Sequence, residues 1–364
     1  MKIAVIVYKP FVGGVGYCMM NYFRHLDHGK LQIDFLVQDE LPSAFESEIA
    51  IAGGTIKKIP GIKNVFKHVF SVYRILKDGQ YDAVHSNVNT LSVFPLFAAW
   101  LARIPIRISH AHSASNPKDR KRHIAKLLLR PLSRLFPTHY LACSEQAGRF
   151  QFGDRKWECG SVKLVKNAIE LDMFRFDELA RTELRNEFRL NHNFVIGHIG
   201  RIAPPKNHFG LVDIFAEVAK RRDDAALVLV GDGPLRKSVE DYIRDKGLDG
   251  KVRFVGERHD AYRFYSMFDA FCFPSLYEGL GMVLVEAQMN GLPCIVSTEV
   301  PREAGLTDLV DFIPLDAPVS QWAERLLSAN RSNSEKCRQQ LAAAGYDIAS
   351  EAKNLESYYI SMGT

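Results

Sequence analysis

The sequence predicts an α/β fold built from two doubly wound parallel-sheet domains. Its 364 residues exceed what one hydrophobic core usually fills. Short apolar runs alternate with longer helical stretches along the whole chain, the pattern of parallel strands covered on both faces. In the second half, four successive apolar runs end in Gly, Arg, Lys or Glu, and parallel strands bring such ends to one rim.

Composition narrows the class. Hydrophobic residues at 47% and charged ones at 24% describe an ordinary globular protein. A formal charge of +5 is too mild, and the basic residues too dispersed, for dedicated nucleic-acid binding, so no nucleic-acid partner is expected. Cys18, Cys143, Cys159, Cys272, Cys294 and Cys337 are scattered without a C-x-x-C pair and read as small buried hydrophobes of a reducing compartment. The start, residues 1–8, is strand-like and too short for a signal peptide, and no apolar run approaches about 18 residues. The expectation is a cytoplasmic protein, with peripheral contact to the inner membrane face as an option.

In chain order, residues 2–8 form a buried strand, followed by a loop carrying Gly13 and Gly14 and an apolar-faced helix to about Leu26. Strand, glycine loop and helix make a phosphate-approach geometry, although tight packing uses the same loop. Further strands are expected at 31–37, 55–59, 81–85, 104–109 and 140–144. His110 and His112 follow the run 104–109, which puts imidazoles at the carboxyl edge of the sheet; a capping or core histidine is the alternative. Between Lys118 and Arg134 seven basic residues interleave with Ile124, Leu127, Leu128 and Leu129. This is either a basic amphipathic helix for an anionic membrane surface or a solvated helix packed on the sheet. The boundary is expected near residue 170, giving domains 1–170 and 171–364; the last helix, about 347–364, either stays with the second domain or packs back on the first.

The second half opens with strand 194–199, which runs into Gly200, Arg201 and Lys206 before a helix from about His208. Strand 227–230 runs into Gly231-Asp232-Gly233-Pro234, and strand 252–255 ends in Gly256-Glu257-Arg258-His259. Strand 270–273 leads to Glu278, Gly279, Leu280 and Gly281, then a helix from Met282 to Met289 that carries Glu286 among apolar residues. The glycines leave backbone N–H groups and the positive end of the helix open to a phosphate. A carboxylate among apolar neighbours is costly unless hydrogen-bonded, and sugar hydroxyls would serve. A turn glutamate plus a solvated helical one would share the spacing. No Asp-x-Asp triplet is present to hold a divalent metal, so Arg201, Lys206 and the helix start are left to meet a leaving diphosphate.

These motifs together resemble a retaining glycosyltransferase of family 4, with the GT-B architecture of two facing Rossmann-like domains and a cleft between them. Within that family the chain is most similar to enzymes that build bacterial capsule, exopolysaccharide or lipopolysaccharide. The resemblance covers nearly the whole chain. It rests on Gly13-Gly14-Val15-Gly16, His110-Ala111-His112-Ser113, Lys166-Asn167-Ala168-Ile169, Gly200-Arg201 with Lys206, Gly231-Asp232-Gly233-Pro234, and the pair Glu278 and Glu286, which matches the family's E-x₇-E motif. It implies a nucleotide-sugar donor, a UDP-sugar first, a glycan or polyprenyl-diphosphate-linked acceptor, and neither cofactor nor metal.

By the same resemblance Arg201 and Lys206 bind the donor diphosphate, Glu286 the ribose hydroxyls and Glu278 the transferred sugar. Gly233, Gly279, Leu280 and Gly281 line the donor, backbone from Gly256 through Arg258 to His259 meets the base, and Gly13 and Gly14 approach the phosphates. His112, or else His110, faces the reacting sugar. Two departures concern the hinge rather than the charges: Ala168 stands where the family has glycine, and Pro204-Pro205 precede Lys206. The competing readings are a GT-B sugar-nucleotide 2-epimerase, which needs carboxylates at first-domain strand ends, a nucleotide-linked dehydrogenase, which needs an acidic end to strand two, and a non-catalytic binding protein on the same fold.

Overall fold

The computed structural model describes residues 1–8, 14–40, 43–113 and 120–363, without the side chains of Ser43, Arg120, Lys121 and Arg122. Gly13 and Lys118 therefore lie outside the described residues. Thirteen strands occur among them: β1 (Lys2–Ile6), β2 (Gln32–Val37), β3 (Ile56–Lys58), β4 (Ala83–Ser86), β5 (Ile106–Ala111), β6 (His139–Ala142), β7 (Val162–Leu164), β8 (Phe194–Ile199), β9 (Ala225–Val230), β10 (Val252–Gly256), β11 (Ala270–Phe273), β12 (Cys294–Ser297) and β13 (Val310–Ile313). They form two sheets, ordered β3-β2-β1-β4-β5-β6-β7 and β10-β9-β8-β11-β12-β13. Every paired neighbour is parallel. The doubly wound α/β fold expected from the alternation is what the chain adopts.

The chain divides into two compact units, Met1–Ile169 with Asp347–Thr364, and Glu170–Tyr346. In the first unit the period of two along β1 sorts its side chains. Ile3 and Val5 join a core with Phe23 and Phe35, while Ala4 and Ile6 join another with Val72 and Leu76. Both faces of the sheet are thus covered, which the near-continuous apolar strands require. The helix Ile348–Gly363 contributes Ile348, Ala352, Leu355 and Tyr359 to the first of these cores. It enters through a bridge between Ile169 and Asp347, with Ile348 N donating to Ile169 O at 3.2 Å. Ala168 is buried in that core and its φ is not positive, so alanine fits where a left-handed turn would have demanded glycine.

The helix Arg120–Leu132 departs from a packed surface helix: Ile124, Leu128 and Leu132 are exposed on it. His110 also departs from its expected position. β5 runs on to Ala111, so His110 lies within the strand rather than after it.

In the second unit, one core spans Ile196, Leu227, Leu229, Phe215 and Trp322. Asp269 fastens its edge: Arg181 and Arg185 donate to its two carboxylate oxygens at 2.5 and 2.7 Å, and Val195 N donates to Oδ2 at 2.8 Å. Strand β13 was not foreseen, because 310–313 (Val-Asp-Phe-Ile) is short and broken by an acid. Gly197, inside β8, has no room for a side chain, since a Cβ there would lie 2.0 Å from Cδ2 of Phe268. Gly197→Ala should cost at least about 2 kcal/mol by overpacking. A lowered midpoint of urea unfolding is the expected result, and an unchanged one would show that Phe268 moves aside freely.

Candidate functional site

The order of the second sheet reverses between β8 and β11, and the carboxyl ends of strands at such a reversal form a ligand crevice. The loops leaving β8, β9, β10 and β11 are stitched by backbone hydrogen bonds. Ile202 N donates to Asp232 O at 2.9 Å, Gly231 N to Gly256 O at 2.8 Å, and Leu276 N to Pro205 O at 2.8 Å. The contacts are so close that a Cβ on Gly231 or Gly233 would sit 2.3 Å from the carbonyl oxygens of Gly200 and Ile202 respectively. Glycine at 231 and 233 is therefore a packing necessity that brings four strand ends onto one surface. Asn207 holds the β8 loop to β11: its left-handed backbone caps the helix His208–Arg221, and its Nδ2 donates to Pro274 O at 3.0 Å.

On this surface Lys206 Nζ donates to Glu278 Oε1 at 2.7 Å and stands 4.6 Å from the Phe273 ring centroid. Its side chain runs over Gly200, where a Cβ would come within 3.2 Å of Lys206 Cε. Arg201, on the same loop, is exposed and makes no hydrogen bond or ion pair among the described residues. Gly281 takes φ +78°, a left-handed value that favours glycine, and opens the helix Met282–Met289, whose first turn has no side-chain cap. No described atom lies within 4 Å of where a side chain on Gly279 would begin, and Leu280 is buried below the same turn.

Glu286 accepts a 2.5 Å hydrogen bond from the Tyr265 hydroxyl. Burial raises its carboxyl above the ordinary range, against the Tyr265 hydrogen bond and the charge of Lys206. Tyr265 is itself fixed by Arg331, which donates to its carbonyl at 2.6 Å. Beneath Lys206, His198 and His208 lie with ring centroids 4.8 Å apart. Burial drives the His198 imidazole far below its usual range and that of His208 to about 4, so both are neutral near pH 7.

Arg258 is committed elsewhere in the unit: its guanidinium grips Asp260 at 2.7 and 3.0 Å and reaches Glu187 at 3.2 Å. What remains for a ligand at the β10 end is its backbone and the exposed Glu257 and His259.

The first unit has its own polar layer. Because β4 and β5 are neighbours, Asn87 and Asn89 meet His112 just past the end of β5. His112 Nε2 donates to Asn87 Oδ1 at 2.8 Å, and Asn89 Oδ1 accepts from His112 N and Ser113 N at 2.8 and 3.1 Å. Burial lowers the His112 pKa to about 4, with Asn167 opposing. His110, the second of the two expected imidazoles, is 1% exposed and bonded to His85 at 3.1 Å, and His85 in turn meets the Tyr359 hydroxyl at 2.5 Å; His112 is 7% exposed. Gly14 opens the helix Gly14–His25, with no described atom within 4 Å of a Cβ built on it.

Lys206, Glu278, Glu286, Gly233 and the 279–281 turn thus gather on one surface of the second unit, with Arg201 beside Lys206 in sequence and His259 one strand further out. Tyr265, His198 and His208 were not singled out from sequence, nor were Asn87 and Asn89. The asparagines carried a signal, since they follow an apolar run in the manner of the other strand ends. Among the described residues no three His, Cys, Asp or Glu cluster as a metal site.

Two family models match the chain: Glycosyltransferase Family 4 over residues 12–172 and Glycosyl transferases group 1 over residues 180–311. The protein EpsF of Bacillus subtilis is 36% identical over 361 residues, covering 95% of this chain and 93% of its own. An Escherichia coli UDP-Gal:alpha-D-GlcNAc-diphosphoundecaprenol alpha-1,3-galactosyltransferase is 25% identical over 389 residues, covering 100% of this chain and 97% of its own. In fold, the chain is similar to Anabaena HepE, crystallised in complex with UDP, with a TM-score of 0.81 at 19% identity over 99% of this chain and 100% of that one.

The buried histidines set a pH dependence. His85, His112 and His208 have folded pKa values near 3, 4 and 4, below the unfolded value of about 6.5. As pH falls below about 6.5 the unfolded chain binds protons the folded chain refuses, so stability drops, by up to about 1.4 kcal/mol per pH unit for each group. Thermal unfolding from pH 7 to 5, above most carboxylate titrations, should show a steep fall in Tm; a flat profile would mean these imidazoles reach solvent.

Proposed function

The chain belongs to the family 4 glycosyltransferases, and from that premise we propose that it moves a sugar, with retention of configuration, from a UDP-sugar to a glycan or lipid-diphosphate-linked acceptor in cell-surface polysaccharide synthesis. The observation that carries this reading is the Lys206–Glu278 pair beside the half-buried Glu286 at the sheet's reversal point. The Escherichia coli relative, named for a UDP-sugar donor and a diphosphoundecaprenol acceptor, supports the choice of both substrates.

In this reading Arg201 and Lys206 meet the donor diphosphate, with the uncapped helix start at Gly281 adding backbone N–H groups. Glu278 holds Lys206 in place and contacts the transferred sugar. Glu286, oriented by Tyr265, accepts from the ribose hydroxyls. The backbone from Gly256 to His259 meets the base, while the Arg258 side chain serves the fold. Within the first unit His112 is neutral, with its proton held on Nε2 by Asn87.

Retention without a dedicated nucleophile follows a same-face substitution. The bond from the anomeric carbon to the diphosphate oxygen breaks, the acceptor oxygen bonds to that carbon from the same side, and the hydroxyl proton passes to a phosphate oxygen. The charge of the leaving diphosphate is met by Arg201, Lys206 and backbone dipoles, and the sequence offers no Asp-x-Asp triplet for a metal.

Lys206→Ala and Glu286→Ala should each lower transfer a hundredfold or more, about 3 kcal/mol of transition-state stabilisation, with the fold retained. Steady-state transfer assays at saturating donor read this, and near-normal turnover by either variant would sink the assignment. Transfer should also persist in EDTA. Loss of activity in chelator that Mg²⁺ or Mn²⁺ restores would establish a metal requirement.

A further inference from the structure

Strand β11 ends in Phe271-Cys272-Phe273, directly before the segment that carries Glu278. Phe273 is fully buried, and the Lys206 ammonium stands over its ring, 4.6 Å from the centroid. The Lys206 side chain is only 19% exposed, so little water competes for that ammonium. A cation over an aromatic face gains most where water is excluded.

The ring is held firmly under the lysine. Phe271 and His198 lie 5.8 and 5.6 Å from it, with planes within 26° of parallel. Its Cε1 edge is 3.4 Å from where a Cβ on Gly281 would begin, so it also abuts the uncapped helix start. His198 is fixed in turn, because Nδ1 bonds Cys272 O at 2.9 Å. A carbonyl only accepts, so the neutral imidazole keeps its proton on Nδ1. The layer continues from Phe271 to Tyr265, 6.0 Å away, whose hydroxyl orients Glu286. One buried aromatic layer therefore supports both the cation and the carboxylate of the rim.

Lys206 thus has two holds of different kinds. Glu278 accepts from its ammonium at 2.7 Å, but a carboxylate acting alone would cancel the charge that an anion is to meet. An aromatic face attracts a cation through its quadrupole and carries no net charge. Phe273 can fix the ammonium and still leave its charge on offer.

We propose that Phe273 is a positioning residue of the donor site: its π face holds the Lys206 ammonium on the rim, beside the helix start at Gly281, ready for the diphosphate. The proposal rests on the reading of that rim as the nucleotide-sugar site. It adds a buried residue that acts through Lys206 without touching the ligand.

The test replaces Phe273 in the full chain with mono-, di- and trifluorophenylalanine, which drain the ring face of negative charge with little change of volume. UDP is the probe, its binding read by calorimetry with Tm measured alongside. Affinity should fall stepwise along the series, by at least about threefold at its end, with Tm retained. In the Lys206→Met background the same series should leave the residual affinity unchanged. Lysine ε-CH₂ proton resonances give a readout that needs no ligand. The Lys206 signal, identified by its loss in Lys206→Met, should lie upfield under the ring current and move back in Phe273→Leu. Equal UDP affinity across the series, a fluorine effect that persists in Lys206→Met, or a Lys206 signal at the ordinary lysine position would each overturn the proposal. Wild type that ignores UDP while its Lys206 signal lies upfield would fault the donor reading instead, with the lysine still shown to be held by Phe273.

Discussion

The candidate sugar site depends on two strands that are distant in sequence being neighbours in the sheet. Lys206 and Glu278 are 72 residues apart, yet they share a 2.7 Å ion pair because β8 and β11 are adjacent where the strand order reverses. The connecting segment, β9 and β10 with their helices, lies on the other side of β8. Its loops return to the same surface only because Gly231 and Gly233 let backbone press against backbone. Remove that close packing and the cation, the carboxylates and the helix start at Gly281 would lose their common rim. The energetic case for such a site is that its charges are held before a ligand arrives, so little reorganisation is needed when charge develops on a leaving diphosphate.

Both units place neutral imidazoles under or beside these polar rims. His198 and His208 lie below Lys206, and His85, His110 and His112 form a layer around the end of β5. Burial keeps all five uncharged at neutral pH. A protonated imidazole next to Lys206 would add repulsion at the point where an anion is to be received, so neutrality preserves the lysine as the local cation. The same design makes the fold sensitive to mild acid.

The fold was legible from sequence because parallel strands buried on both faces read as short apolar runs, and their order in the chain is the order of βαβ units. Strand β13 escaped because Asp311 breaks its apolar run. At the site, glycines and charges at strand ends were legible, since phosphate approach needs bare backbone and cations. Pairings were not. That Tyr265 orients Glu286, that Arg258 spends its guanidinium on Asp260 and Glu187, and that Asn87 holds His112 all follow from side chains meeting across elements. His110 and His112 show the limit most plainly. Two residues apart, they look equivalent in sequence, but two more residues of β5 enclose one within the strand and leave the other at its end.

The central claim is that the rim of the second unit binds a nucleotide sugar. Thermal unfolding of the whole chain against a panel of nucleotide sugars, with NAD as control, tests it most directly. A ligand at a hundred times its Kd stabilises a folded protein by about 2.7 kcal/mol, well within reach of the method. One nucleotide sugar, a UDP-sugar first, should raise Tm and be slowly hydrolysed, while NAD leaves Tm unchanged. Stabilisation by NAD, or by no nucleotide sugar in the panel, would contradict the account.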